Sequence, residues 1–214
     1  MTEPPFLAAA REAFDSMAAG YAERFRTDLA GRPLDRALLA AFAELVRAAG
    51  AGPVADVGCG PGHVTAHLGT LGLDAFGVDL SPEMVAQARR AYPELRFEVG
   101  SMTALEVADG ALGGILAWYA IMHMPPDAVP GVFAEFARVL APGGHLLVSF
   151  VVGDGRGHRT EAFGQPIALD YHLWPPGRVA DRLAAAGFGV RAELVRGPEG
   201  DETAQRAYLL ARRA

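Results

Sequence analysis

The sequence contains no lysine and no asparagine, and it has one cysteine, Cys59. Without lysine, the chain cannot hold the phosphate-binding lysine of a P-loop nucleotide hydrolase or the Schiff-base lysine of a pyridoxal-phosphate enzyme. A single cysteine allows no disulfide within the chain, which favours a reducing setting. No apolar run approaches the length of a membrane span, and residues 1–20 lack the basic-then-apolar pattern of a signal peptide. We therefore expect a cytoplasmic protein with no membrane partner.

The composition is typical of a globular protein with a full core. Of the 214 residues, 51% are hydrophobic and 21% are charged. The 19 basic residues, all arginine, are outnumbered by 25 acids, and the net charge is −6. This balance argues against nucleic acid as the main partner. We expect a small-molecule partner and a monomer or homodimer, and the bias toward Ala, Arg, Gly and Pro is typical of a high-GC bacterial genome.

One stretch organises the sequence, Val54-Ala-Asp-Val-Gly-Cys-Gly-Pro-Gly-His-Val-Thr-Ala-His-Leu68. It opens as a short buried strand, turns through Gly58, Gly60 and Gly62, and continues as a helix. A strand, a Gly-rich turn and a helix N-terminus typically form a site where backbone N–H groups face an anion. A second short strand follows and ends in Asp79. An acid at that position can accept two hydrogen bonds from a ribose diol.

The spacing of the glycines distinguishes two interpretations. The dinucleotide fingerprint is G-x-G-x-x-G, whereas here the third glycine comes one residue early and His63 stands in its place. The pattern Asp-x-Gly-x-Gly-x-Gly resembles motif I of the class I S-adenosylmethionine-dependent methyltransferases, with Asp79 as their ribose-binding acid. The resemblance covers residues 40–150 well and the rest loosely.

The resemblance implies an α/β, Rossmann-like fold. That fold has a seven-stranded, mostly parallel sheet with an antiparallel last strand, helices on both faces and an N-terminal helical lid. The alternation of strands and helices over residues 54–100 also predicts a parallel sheet. We expect residues 1–32 to form the lid and 33–214 to form a single methyltransferase domain. Residues 153–175 are rich in Gly, His and aromatics without clear periodicity, so we expect a substrate-side loop there.

The expected elements follow from apolar runs and their capping residues. Strands are expected at residues 54–57, 75–78, 95–99, 115–119, 145–152, 188–196 and 204–212, and the clearest helices at 32–50, 127–140 and 176–186.

The resemblance also implies a cofactor site. S-adenosylmethionine would lie against the turn, with Asp56 near its amino group and Asp79 on its ribose, and S-adenosylhomocysteine would be the product. The other residues that the family pattern marks for the cofactor are Tyr21, Gly58, Cys59, Gly60, Gly62, Leu80, Met84, Gly100, Ser101, Met102 and Trp118. Ser101 stands where the family usually has an acid, and an uncharged hydroxyl holds the adenine amino group more weakly. Tyr21 belongs to an aromatic stripe that could equally be core.

Methyl transfer from a sulfonium is an in-line displacement. The protein must align the nucleophile with the methyl group and remove a proton where the nucleophile carries one. His123 follows the fourth expected strand, and its imidazole pKa lies near working pH, so it is the candidate base; a structural histidine is the alternative. Tyr119, His123, Tyr171, His172 and Trp174 are the candidate substrate contacts, of which the last three could instead form a hydrophobic cap.

Two other patterns give weaker indications of a functional site. His63 and His67 lie four residues apart, a spacing that suits two metal ligands, but no third ligand is evident and we expect no metal. Cys59 is expected to pack in a tight turn rather than to react. The missing asparagine excludes the Asn-Pro-Pro-aromatic motif of DNA amino-methyltransferases and the Asp/Asp/Asn metal set of catechol-type O-methyltransferases.

Together these residues predict S-adenosylmethionine-dependent methyl transfer to an O or N nucleophile of a small molecule. One alternative is a non-catalytic or partner-dependent scaffold that binds the same cofactor. Another is an NAD-type oxidoreductase, which the early third glycine and the missing Tyr-x-x-x-Lys pair disfavour. A further alternative uses the sulfonium only as a positive charge, without methyl transfer.

Overall fold

The computed structural model describes residues 4–50 and 52–214. Within these residues the helices are α1 (Pro5–Phe25), α2 (Pro33–Ala49), α3 (His63–Thr70), α4 (Pro82–Ala91), α5 (Val129–Val139) and α6 (Pro176–Ala185). The strands are β1 (Val54–Val57), β2 (Ala75–Asp79), β3 (Phe97–Val99), β4 (Leu112–Trp118), β5 (Leu140–Val151), β6 (Gly155–Ala162), β7 (Gln165–Leu173), β8 (Phe188–Arg196) and β9 (Arg206–Arg213). None of the described helices is both long enough and apolar enough to cross a membrane.

Seven strands form the main sheet, in the order β3-β2-β1-β4-β5-β9-β8. Strands β1 to β5 pair in parallel, and β9 is antiparallel to both of its neighbours. The strand order reverses between β1 and β4, which opens a crevice beyond the carboxyl ends of these two strands. The expected sheet, with its antiparallel last strand, is confirmed, and the Gly-rich turn follows β1 at this crevice.

Apolar side chains on both faces of the sheet build the core. Along β4, Ile115 and Ala117 pack in the cluster under α5 and α6, while Leu116 packs in the cluster under α2 and α3. Successive side chains of a strand point to opposite faces, so one buried strand supplies both clusters. All three side chains are fully buried. Helices therefore cover both faces of the sheet, as expected.

Helix α1 lies over the crevice, between α4 and β7. Met17 shares a buried cluster with Met84 of α4 and Leu169 of β7. Asp15 Oδ1 accepts a hydrogen bond from the Ser81 hydroxyl at 2.5 Å. This bond ties the outer part of α1 to the N-terminus of α4.

The N-terminal helix stands where the lid was expected. The expected lid spans residues 1–32, of which 1–3 lie outside the described residues. The rest forms α1 and a short 3-10 helix at Asp28–Gly31. Its action as a lid stays a prediction.

The structure differs from the expectation at residues 153–175. Instead of a loop, β6 and β7 form an antiparallel hairpin whose tip holds Phe163 and Gly164 at φ 52° and 73°. Most side chains of β6 are exposed, so its sequence lacks the apolar alternation that marks a half-buried strand. The hairpin is stabilised by the packing of β7 on α1. A local sequence pattern does not predict this contact, because the two elements are far apart in the chain.

Other bounds shift by a few residues. Strands β4 and β5 begin earlier than expected, because Leu112 and Leu140 pair across a bulge before the regular register starts at Gly114. Strand β3 is shorter than expected and begins at Phe97.

Candidate active site

The turn after β1 depends on its glycines. Gly58, Gly60 and Gly62 have φ values of 79°, 52° and 82°, which side-chain-bearing residues rarely adopt. A Cβ atom at Gly58 or Gly62 would lie 2.5 Å or 2.7 Å from a neighbouring side chain. At Gly60 a Cβ would meet only the Tyr21 ring, at 3.8 Å. A glycine is thus needed at positions 58 and 62 because of close packing. At position 60 the space beside the backbone is open, and a side chain on residue 60 would fill it.

The backbone N–H groups of the turn are bonded within the protein. Gly58 N and Cys59 N donate to the Val78 carbonyl at 2.7 Å and 3.2 Å. Gly60 N donates to Asp79 Oδ2 at 2.7 Å. The expectation that these groups face an anion is wrong for Gly58 and Cys59, whose N–H groups bond to a carbonyl of β2, and the anion that the Gly60 N–H faces is the protein's own Asp79 carboxylate. A phosphate would have to compete with these bonds.

Asp79 ends β2 and faces the crevice. Its Oδ1 accepts from Ser81 N at 2.9 Å, and its Oδ2 accepts from Gly60 N. Burial raises the pKa of Asp79 to about 6, although these N–H groups oppose the rise. At neutral pH the group is a carboxylate, and each oxygen keeps a further lone pair for a ligand hydroxyl.

Asp56 is fully buried in β1. Its Oδ2 accepts from Thr65 Oγ1 at 2.6 Å, whereas its Oδ1 has no hydrogen-bond partner. Burial raises the pKa of Asp56 to about 7. A buried, unpaired carboxylate oxygen is costly until it meets a donor. Asp56 therefore fits a cationic donor such as an ammonium group.

A pocket, the inner chamber, lies beside the turn; its empty space is about 700 Å³ when the open solvent at its mouth is included. Twelve residues singled out from the sequence line it: Tyr21, Gly58, Gly60, Asp79, Leu80, Met84, Gly100, Ser101, Met102, Trp118, Tyr119 and His123. Three more come from α1 and had no sequence signal beyond helical spacing: Leu7, Ala10 and Phe14. The fold thus brings segments from five parts of the chain to one chamber.

Within this chamber, Ser101 has limited capacity for a ligand. Its Oγ lies 2.8 Å from Thr103 Oγ1 and accepts from Thr103 N at 3.2 Å. These two contacts engage much of the hydroxyl, and the role of Ser101 in binding a cofactor stays a prediction.

A second pocket, the outer chamber, lies across the turn from the first; its empty space is about 1460 Å³ when open solvent is included. The two chambers share Tyr21, Gly58, Gly60, Trp118 and Tyr119. Asp56 and Cys59 line only the outer chamber, whose far wall includes the tip of the β6–β7 hairpin. The Gly-rich turn therefore lies between two adjoining spaces.

Cys59 and Gly62 support the turn. Cys59 packs in a buried cluster with Val85, Ala88 and Phe97. Burial raises the pKa of its thiol, so the group stays protonated at neutral pH. Gly62 lines neither chamber and lies against the Phe97 ring.

His123 lines the inner chamber in an enclosed position. Its ring stands edge-on to Phe14 with centroids 4.9 Å apart, and its Nδ1 is buried without a hydrogen-bond partner. Burial lowers the pKa of His123 to about 4, although a hydrogen bond with the Asp170 backbone opposes the change. At neutral pH the imidazole is uncharged, and its role as a base stays a prediction.

Three candidate substrate contacts lie away from both chambers. Trp174 is 1% exposed and belongs to the main core, with the Arg182 guanidinium 4.7 Å from its ring. Tyr171 covers Gly157 on the neighbouring strand, and His172 lies against Trp174. Their contact with a substrate stays a prediction that depends on movement of the hairpin.

Tyr119 is held by a network that the sequence does not reveal. Its φ is 54°, a strained value for a non-glycine residue, and its N–H donates to the Ser149 carbonyl and hydroxyl at 3.1 Å and 2.9 Å. Its hydroxyl lies 2.8 Å from that of Tyr208. Tyr208 donates to Asp35 at 2.7 Å and accepts from Arg196 Nε at 2.9 Å. Because Tyr208 gives its single proton to Asp35, the Tyr119 hydroxyl donates to Tyr208 and keeps only acceptor lone pairs for the chamber.

Replacing Tyr208 by phenylalanine should lower the free energy of unfolding by about 2 kcal/mol, because it leaves Asp35 and Arg196 buried without this partner. Urea denaturation measures the change. Tyr92→Phe, at a half-buried tyrosine, is the matched control and should change the value by no more than about 0.5 kcal/mol. Equal effects of the two substitutions would contradict the network's role.

A family model described as a methyltransferase domain matches residues 54–144, from β1 into β5. The demethylmenaquinone methyltransferase of Beutenbergia cavernae is 32% identical over 136 residues, which are 64% of this chain and 55% of that protein. The chain spans about half the length of the curated relatives that it matches.

Solved structures show the same fold over the whole chain. The 1,6-didemethyltoxoflavin-N1-methyltransferase of Burkholderia thailandensis, solved with 1,6-didemethyltoxoflavin and S-adenosylhomocysteine, has a TM-score of 0.73 at 23% identity, covering 100% of this chain and 91% of that chain. The magnesium protoporphyrin IX methyltransferase of Synechocystis, solved with S-adenosylmethionine, has a TM-score of 0.73 at 16% identity and is covered in full. At such identities the likeness establishes the fold alone.

Proposed function

Because this chain belongs to the class I S-adenosylmethionine-dependent methyltransferases, we propose that it transfers the methyl group of S-adenosylmethionine to an O or N nucleophile of a small molecule. One observation carries the proposal. Gly60 lies between two adjoining chambers, with Asp79 on the inner side and the unpaired Oδ1 of Asp56 on the outer side. When bound, the cofactor supplies a methyl group on a positively charged sulfur, which is an activated leaving group.

The residues around the turn suit that cofactor. Asp79 accepts from the ribose hydroxyls, and Asp56 Oδ1 accepts from the ammonium group. Gly60 allows close approach of the ligand to the backbone. The inner chamber encloses the adenine ring between the side chains of Leu80, Met84, Ser101 and Met102. A cation at this turn also agrees with N–H groups that are bonded within the protein and so are not offered to an anionic ligand.

The outer chamber is the proposed acceptor side. It opens beyond Trp118 and Tyr119 and is roofed by Phe163 of the hairpin. Helix α1 and the hairpin limit the access of water to the turn. His123 lines the inner chamber and not the outer one, so it is our candidate for taking the proton of a neutral nucleophile only when that nucleophile reaches past the turn. Its low pKa keeps it in the basic form at neutral pH but makes it a weak base.

Titration calorimetry tests the cofactor assignment. S-adenosylmethionine, S-adenosylhomocysteine and NAD are each titrated into the protein. We expect micromolar binding of the first two and none of NAD. Tight binding of NAD would overturn the proposal in favour of an oxidoreductase. Binding of the cofactor without transfer of a labelled methyl group to any acceptor in a broad panel would favour the scaffold alternative.

The affinity for S-adenosylhomocysteine should fall as the pH falls from about 8 to about 5. Burial raises the pKa of Asp56 to about 7 and that of Asp79 to about 6. Each carboxyl group accepts more strongly from the ligand when it is ionised, so affinity is highest above both pKa values. It is lost in two steps as first Asp56 and then Asp79 is protonated. Calorimetry across this range measures the effect, and a constant affinity would contradict both contacts.

A further inference from the structure

Four arginines line the outer chamber, and three of them are neutralised by carboxylates. Arg24 lies 3.3 Å from Asp201. Arg32 and Arg206 lie 2.8 Å and 3.5 Å from Glu202. These pairs leave little positive charge on that side of the chamber for a ligand.

Arg159 is the fourth arginine, and it has no ion-pair or hydrogen-bond partner within residues 4–50 and 52–214. It stands on β6 directly opposite Leu169 of β7, which is 5% exposed and packs toward α1. Side chains directly opposite each other in an antiparallel pair project to the same face. Arg159 therefore projects from the inner face of the hairpin, at the mouth of the chamber, with its charge uncompensated.

The outer chamber that Arg159 lines also has aromatic residues in its wall. The Tyr21 ring lies 4.4 Å from the Phe25 ring and 5.8 Å from the Phe163 ring, between centroids, and all three line the chamber. Trp118 closes the side toward the turn. An uncompensated guanidinium beside apolar rings suits a ligand with a carboxylate at one end and an apolar body, because the planar fork donates two parallel bonds to a carboxylate.

We propose that the acceptor of the outer chamber is a small organic acid with an apolar or aromatic body, and that Arg159 binds its carboxylate. This inference rests on the proposed function, since it takes the outer chamber as the acceptor side. The carboxylate of the cofactor's own methionine part offers the same chemistry, and the experiment distinguishes the two sources.

The test compares Arg159→Gln with Arg156→Gln. Both substitutions remove one positive charge from β6, but Arg156 does not line the outer chamber. S-adenosylhomocysteine is first titrated into the wild type and both variants by calorimetry. Benzoate and its neutral isostere benzamide are then titrated into each protein saturated with S-adenosylhomocysteine.

We expect the wild type to bind benzoate at least tenfold more tightly than benzamide. Arg159→Gln should remove this preference, while Arg156→Gln keeps it, and all three proteins should bind S-adenosylhomocysteine equally. No preference for benzoate in the wild type, or a preference that survives in Arg159→Gln, would overturn the inference. A tenfold loss of S-adenosylhomocysteine affinity in Arg159→Gln would assign this arginine to the cofactor instead. Failure of the wild type to bind S-adenosylhomocysteine is a different result, because it refutes the proposed function itself.

Discussion

Asp79→Asn should weaken the binding of S-adenosylhomocysteine about a hundredfold, since two charge-assisted hydrogen bonds to the ribose together contribute roughly 3 kcal/mol. The amide keeps one acceptor oxygen and loses the charge. The amide can accept from only one of the Gly60 and Ser81 N–H groups, so the substitution should also lower the free energy of unfolding by about 1–3 kcal/mol. The loss of affinity is therefore measured on protein that a thermal melt shows to be folded.

Calorimetry measures the affinity, and a thermal melt checks the fold. Asp74→Asn is the matched control: Asp74 is exposed just before β2, so the same chemical change there should leave the affinity unaltered. If Asp79→Asn binds within threefold of the wild type, the ribose assignment is wrong.

Two alanine substitutions in one turn should separate stability from binding. Gly60 and Gly62 both have positive φ, so alanine at either position carries a cost of about 1–2 kcal/mol from the left-handed backbone. At Gly62 the new Cβ would also lie 2.7 Å from the Phe97 ring, and such overpacking costs about 1–3 kcal/mol more. We expect Gly62→Ala to lower the free energy of unfolding by about 4 kcal/mol and Gly60→Ala by about 1 kcal/mol.

Binding should show the opposite order. The Cβ at Gly60 has room in the free protein, but it would fill the space that both chambers share. Gly60→Ala should therefore lose at least tenfold in affinity for S-adenosylhomocysteine, whereas Gly62→Ala should keep the wild-type affinity in its folded fraction. Urea denaturation and calorimetry on the same two proteins give both quantities. Unchanged binding in Gly60→Ala would show that the ligand does not approach the turn.

Most of the sheet could be predicted from the chain, because its elements carry their own signals. Strand β1 was located to the residue from its apolar run. Helix α2 begins at Pro33 and ends at Gly50 in the left-handed conformation that glycine favours. Helix α4 begins after Ser81, whose side chain accepts from Met84 N as an N-cap should. Such signals depend on residues within one turn or one strand of each other.

The candidate site likewise has some features that the local sequence predicts and others that depend on tertiary packing. The glycines and Asp79 were found from sequence because backbone conformation and short spacing determine them. The hydrogen-bond partners of the turn's N–H groups could not be predicted from sequence. They depend on β2 lying beside β1, which brings the Val78 carbonyl and Asp79 within reach.

Contacts between distant segments were decided by the tertiary structure alone. Tyr208 lies 173 residues from its hydrogen-bond partner Asp35, and Ser81 lies 66 residues from Asp15. Arg159 is one exposed arginine among many in the sequence, and its unpaired position at the chamber mouth follows from the pairing of β6 with β7 and of β7 with α1. A local pattern reports whether a residue faces the core or solvent, since that is what its periodicity selects. The pattern does not indicate which distant side chain the residue contacts, because that contact depends on how the helices and strands pack.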